Sequence, residues 1–94
     1  MYFLILYDIC TKTKEGRHRL KEIRKLCSAH GQPIQNSIFE CKMDYNSCIE
    51  LENELSQIID KNNDSIKFYY LGRQRNLKQF GIKQSYSLEE SLVI

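Results

Sequence analysis

The chain opens on Tyr2-Phe3-Leu4-Ile5-Leu6-Tyr7-Asp8: six apolar or aromatic residues without a break, ended by one carboxylate. No other stretch limits the fold as tightly. A run with no polar alternation has no face to give to water, so it reads as a strand covered on both sides at the centre of a sheet. A secretory leader is the competing reading. It fails because no basic region precedes the run, an acid ends it and no small-residue cleavage site follows. The run is also too short to span a bilayer, and no membrane association is expected. Asp8 is thus placed where a core strand emerges at the edge of the fold.

At 94 residues the chain predicts one domain over 1–94, with a core thin enough that pairing with a second copy is a reasonable expectation. After the strand, Thr11 and Thr13 are two candidate N-caps for a helix running to about Ala29, with Leu20, Ile23, Leu26 and Cys27 as its apolar stripe. Gly31 stops that helix. Pro33 to Lys42 reads as extended structure broken near Asn36-Ser37, either one bent strand or a hairpin. Asp44 caps a second helix, Tyr45 to Asp60, with Cys48, Leu51, Leu55, Ile58 and Ile59 inward and Glu50, Glu52 and Glu54 on a solvated face. Ser65 to Leu71 is a further strand, and 73–94 is a strand-like tail closing on Leu92-Val93-Ile94. Three terminal aliphatic residues are expected to pack, on their own domain or on a partner. The order strand, helix, strand material, helix, strand is that of an α+β, ferredoxin-like split β-α-β sandwich. Two helices then cover one face of an antiparallel sheet, and the other face is left free as a dimer surface.

Charge is distributed unevenly. From Thr11 to Gly31 seven Lys or Arg stand against Glu15 and Glu22; from Glu40 to Asp64 seven acids stand against Lys42 and Lys61; from Ser65 onward five bases stand against Glu89 and Glu90. Two basic segments around an acidic one suggest a basic surface and a polyanionic partner. Lys12, Lys14, Arg17, Arg19, Arg24 and Lys25 on the first helix, with Arg73 and Arg75 after the last strand, are the candidate phosphate contacts. Any one of them alone reads more simply as part of a solvated face. Tyr69, Tyr70 and Phe39 are aromatic enough to stack bases, with core packing the better reading for the last two. Cys10, Cys27, Cys41 and Cys48 form no C-x-x-C pair and have no His at zinc-ligand spacing. They read as free thiols of a cytoplasmic protein. His18 and His30 share no helical face and read as ordinary surface groups.

Asp8 is the candidate catalytic group and metal ligand, with Tyr7 beside it as a stacking or hydrogen-bonding neighbour. Its simpler reading is a turn or cap residue. One carboxylate is little for catalysis. If two copies met near their strand ends, the two Asp8 carboxylates would repel, share a proton or bind a divalent cation. A hard ion such as Mg²⁺ suits oxygen ligands and serves phosphodiester hydrolysis.

Together, the N-terminal strand ending in Tyr-Asp, the basic helix, Gln35-Asn36-Ser37-Ile38-Phe39-Glu40 and Tyr69-Tyr70-Leu71-Gly72 resemble the small CRISPR-associated adaptation protein. That family is the second of the two core spacer-acquisition proteins, often described as a metal-dependent endoribonuclease. The likeness covers nearly the whole chain, and only the combination of its short motifs is specific. It implies a ferredoxin-like homodimer holding a metal, Mg²⁺ or another divalent cation, between strand-end aspartates that match Asp8. It also implies partnership with the CRISPR integrase, binding of duplex DNA and action on single-stranded RNA, and a C-terminal segment packed on the neighbouring subunit. Many members carry an arginine two residues before the Gln of this motif, where this chain has Pro33. The rival readings are a non-catalytic DNA-binding scaffold and a toxin-type ribonuclease of related fold.

Overall fold

In the computed structural model, which describes residues 1–71 and 77–81, the apolar run becomes β1 (Tyr2–Asp8), the middle strand of a five-stranded sheet. It is followed by α1 (Lys14–His30), β2 (Gly31–Gln35), β3 (Ile38–Lys42), α2 (Tyr45–Ile58), β4 (Ser65–Tyr70) and β5 (Leu77–Gly81). The strands lie in the order β2-β3-β1-β4-β5, every neighbouring pair antiparallel. The first four strands and the two helices form the expected α+β split β-α-β sandwich, and β5 adds a strand at the β4 edge.

Alternation along β1 serves two clusters. Phe3, Ile5 and Tyr7 point to the helices and pack with Ile23 and Cys27 of α1, Cys48, Leu51 and Leu55 of α2, and Phe39, Ile66 and Phe68 of the sheet. Leu4 and Leu6 point the other way and cluster with Ile38 and Tyr69. Each fully buried side chain of this size contributes about 1.5–3 kcal/mol, which is why the run tolerates no polar position before Asp8. The far face was expected to be open. Instead Leu4, Leu6, Ile38 and Tyr69 are buried within the single chain, and Lys67 on the same face is only 1% exposed.

Local chemistry sets the ends of the elements. Thr13, not Thr11, caps α1: its hydroxyl accepts the Gly16 N–H at 3.0 Å. Gly16 has no side chain to spare, since a Cβ there would overlap the Cys10 carbonyl oxygen. Gly31 ends α1 by beginning β2 in extended conformation, and a Cβ there would come 2.6 Å from Cys41 Sγ. The segment left open between bent strand and hairpin is a hairpin, β2 and β3 turning at Asn36–Ser37 with a register shift between Pro33 and Gln35. Asp44 caps α2 by accepting the Ser47 N–H at 2.7 Å. That helix stops at Ile58, short of Asp60, because the Asp60 carboxylate takes the Asn62 N–H and the Asn63 amide into a local turn. Glu52 departs from the expected solvated acidic face. It is 6% exposed, because its spacing from Cys48 and Leu55 places it on the inward stripe, while Glu50 and Glu54 are exposed.

The tail divides. Leu77–Gly81 pairs with β4 of its own chain, whereas 82–94, with Leu92-Val93-Ile94, lie outside the described residues. No helix among the described residues is long and apolar enough to cross a membrane.

Candidate functional site

β1 ends on Asp8, which is exposed and lies opposite Ser65 of β4. The step from Tyr7 to Asp8 crosses the sheet. Tyr7 turns toward the helices and is nearly buried, while Asp8 falls on the other side of the strand. The Tyr7 hydroxyl donates to the Asn36 carbonyl at 3.1 Å and its ring stacks on Phe39 at 6.2 Å between centroids. Burial raises the Tyr7 pKa above that of a free phenol, with the neighbouring Arg24 guanidinium pulling partly the other way. The two candidate catalytic residues are therefore neighbours in sequence that face different surroundings.

The expected basic set separates into two kinds. Lys12, Lys14, Arg17, Arg24 and Lys25 are exposed. Arg17 sends a guanidinium nitrogen to the Thr11 carbonyl at 3.2 Å, which ties the start of α1 to the segment leaving Asp8. Arg19 is different: its Nε lies 2.7 Å from Oδ2 of Asp64, in a pair whose side chains are 18% and 0% exposed. Asp64 also accepts the Cys10 N–H at 2.8 Å and the Asp60 N–H at 2.9 Å. Burial works to raise its pKa, yet the Arg19 guanidinium and these N–H groups hold it below the usual carboxylate range. Arg19 thus joins α1 to the β1–α1 and α2–β4 connections. Arg73 and Arg75 lie outside the described residues.

Lys21 and Asp64 stand outside the residues expected at the site. At 3.6 residues per turn, Lys14, Arg17, Lys21, Arg24 and Lys25 fall within an arc of about 100°, away from the buried Gly16, Ile23 and Cys27. All five are exposed. A helical wheel finds that stripe. Nothing local in the sequence marks Asp64, whose partners come from 4 to 54 residues away. The stripe is about 16 Å long at 1.5 Å per residue, over which one DNA strand carries about five phosphates.

For a divalent cation, one chain offers Asp8 as an exposed hard-oxygen donor; among the described residues no three His, Cys, Asp or Glu side chains converge as a ligand set. Mg²⁺ keeps several waters and is held by one or two carboxylates plus substrate phosphates. One Asp8, or two from paired copies, fits that pattern, whereas a dehydrated multidentate site does not. Cys27, Cys41 and Cys48 are buried free thiols. Burial pushes them up to about 12, 11 and 11 respectively, so they stay protonated and are poor ligands and nucleophiles.

Comparison with known proteins fits this geometry. The family model described as CRISPR associated protein Cas2 matches residues 1–79. The chain is 39% identical to a Halalkalibacterium halodurans protein named CRISPR-associated endonuclease Cas2, over 99% of both chains. It is 38% identical to a Chlorobaculum tepidum protein named CRISPR-associated endoribonuclease Cas2, over 100% of both. Among solved structures, Streptococcus pyogenes Cas2 at pH 6.5 superposes with a TM-score of 0.71 at 45% identity, covering 78% of this chain and 88% of that one.

Proposed function

The chain belongs to the CRISPR-associated Cas2 family, and on that premise we propose that it works as a homodimer on nucleic acid during CRISPR adaptation. In this reading it pairs with the integrase in the cytoplasm and binds duplex DNA. It also hydrolyses phosphodiesters with Mg²⁺ at Asp8. The observation that carries the reading is an exposed carboxylate at the end of a buried strand, next to a helix whose outer face holds five exposed bases. Lys14, Arg17, Lys21, Arg24 and Lys25 draw the polyanion by neutralising phosphates and releasing counterions. Asp8, with the Asp8 of a second copy, would hold the cation. Bound there, Mg²⁺ supplies charge stabilisation at the phosphodiester and a more acidic water. Arg19 acts from within, fixing the segment that leaves Asp8.

The test compares wild type with Asp8→Ala and Asp8→Asn on single-stranded RNA and duplex DNA, with Mg²⁺ and with chelator. Cleavage is expected only from wild type with the metal, with all three proteins folded, as their far-UV circular dichroism shows. Equal cleavage by the variants would exclude Asp8 and favour the non-catalytic scaffold. That second reading is supported by the basic stripe, which owes nothing to Asp8; on it, Asp8→Ala still binds duplex DNA as wild type does.

A further inference from the structure

Between the C-terminal half of α1 and the β2–β3 hairpin lies a cleft of about 560 Å³. Of the five-base stripe, Arg24 alone is among its lining residues. Tyr7 and Phe39 line it and are stacked on each other with their planes 26° apart. The Tyr7 hydroxyl is bonded to the Asn36 carbonyl, so this wall is locked to the hairpin turn before any ligand arrives. Arg24 and Ser28 line the α1 side, and Gln35 and Asn36 the hairpin side. The same two amide residues also line an adjoining hollow of about 460 Å³ that runs past Ser37 and Ile38.

Three features narrow the ligand. Arg24 is an exposed cation that leans on the Tyr7 hydroxyl. The ion pairs among the described residues are His18–Glu22 and Arg19–Asp64, so among those residues no carboxylate neutralises Arg24. Gln35 and Asn36 present side-chain amides, each a donor and an acceptor, the combination that pairs with the edge of a base. The volume is that of a small-molecule site. In a duplex the Watson–Crick edges are already paired, so a base can offer these amides that edge only when it is unpaired.

We infer that this cleft binds one unpaired nucleotide as a nucleoside 5′-monophosphate unit, the phosphate on Arg24 and the base edge on Gln35 and Asn36. The unit is either free or the end of a single strand. The inference rests on the nucleic-acid reading above and deepens it. The Tyr7 N–H bonds to the Ser37 carbonyl at 3.1 Å, so the hairpin turn sits at the same strand end as Asp8. A strand end held here would be anchored beside the acid but on the opposite side of the sheet.

The test is an NMR titration of the full chain with cytidine 5′-monophosphate, a single-stranded pentanucleotide and a blunt duplex. The probes are the side-chain amide signals of Gln35 and Asn36. The mononucleotide and the pentanucleotide are expected to shift both signals saturably. Inorganic phosphate should leave them in place, and the duplex should move signals from Lys14 to Lys25 instead. Loss of a charge-assisted phosphate contact in Arg24→Gln should weaken binding roughly tenfold or more. Ser28→Phe, an exposed position where a ring would fill the cleft, should remove the shifts with the rest of the spectrum intact. The inference is overturned if the mononucleotide leaves both signals unmoved, or if phosphate alone or the duplex moves them equally. It is also overturned if Ser28→Phe binds as wild type does. Mg²⁺-dependent cleavage with a silent cleft would defeat this inference alone; cleft binding without cleavage would defeat only the nuclease part of the earlier reading.

Discussion

The Asp64 carboxylate is fully removed from water and accepts hydrogen bonds from a guanidinium and two backbone N–H groups. A buried charge of that kind is stable only while its partners remain, and removing one partner costs on the order of 3 kcal/mol. Asp64→Asn is therefore expected to lower stability by about that amount at neutral pH, measured by urea unfolding. The pH dependence has a definite sign. Because the folded pKa is depressed, the unfolded chain takes up the proton first as pH falls. The stabilisation is complete above the unfolded value of about 3.9 and is lost as pH drops through the folded one. The gap between wild type and Asp64→Asn should close over that acid range. A gap constant down to the lowest pH at which the protein folds would mean that Asp64 is not ionised in the fold. None of this was legible in the sequence, where Arg19 looked like its basic neighbours. A partner 45 residues away leaves no local pattern.

Elements were legible to the extent that their signals were local. β1 could be read because burial on both faces forbids polar interruption. Asp44 could be read as a cap, and Thr13 as one of two candidates with Thr11, because Asp44 and Thr13 each act on an N–H three residues on. The hairpin could not be decided, since Pro33 and the register shift after it blur the alternation that would separate one strand from two. Glu52 was misplaced by weighing its charge above its spacing. Gly16 shows another limit, because its role depends on how closely α1 approaches the Cys10 carbonyl. Gly16→Ala would be mildly favourable in an isolated helix. Here it should destabilise by about 1–3 kcal/mol, the usual cost of overpacking. A melting temperature at or above that of wild type would show that the helix start can move away at no cost.

For the whole molecule, the basic stripe and the acidic residues of α2 occupy different helices, so a net charge of only +2 conceals a strongly directional surface. If five bases contact phosphates, the logarithm of duplex affinity should fall with the logarithm of salt at a slope of about −4 to −5 per chain. Lys21→Gln should reduce the magnitude of that slope by about 0.9 and show little sequence preference. An unchanged slope between about 50 and 200 mM salt would remove α1 from the interface. The candidate site was half visible beforehand: Asp8 stood out from the start, whereas the cleft on the other side of β1 needed the hairpin to be folded against α1. The contacts of Asp64 also bear on how the chain is made. Arg19 and Cys10 leave the ribosome 45 and 54 residues ahead of the carboxylate that holds them. Through most of synthesis the start of α1 is without its anchor, and the surroundings of Asp8 take their final form only when the chain has grown to its last third.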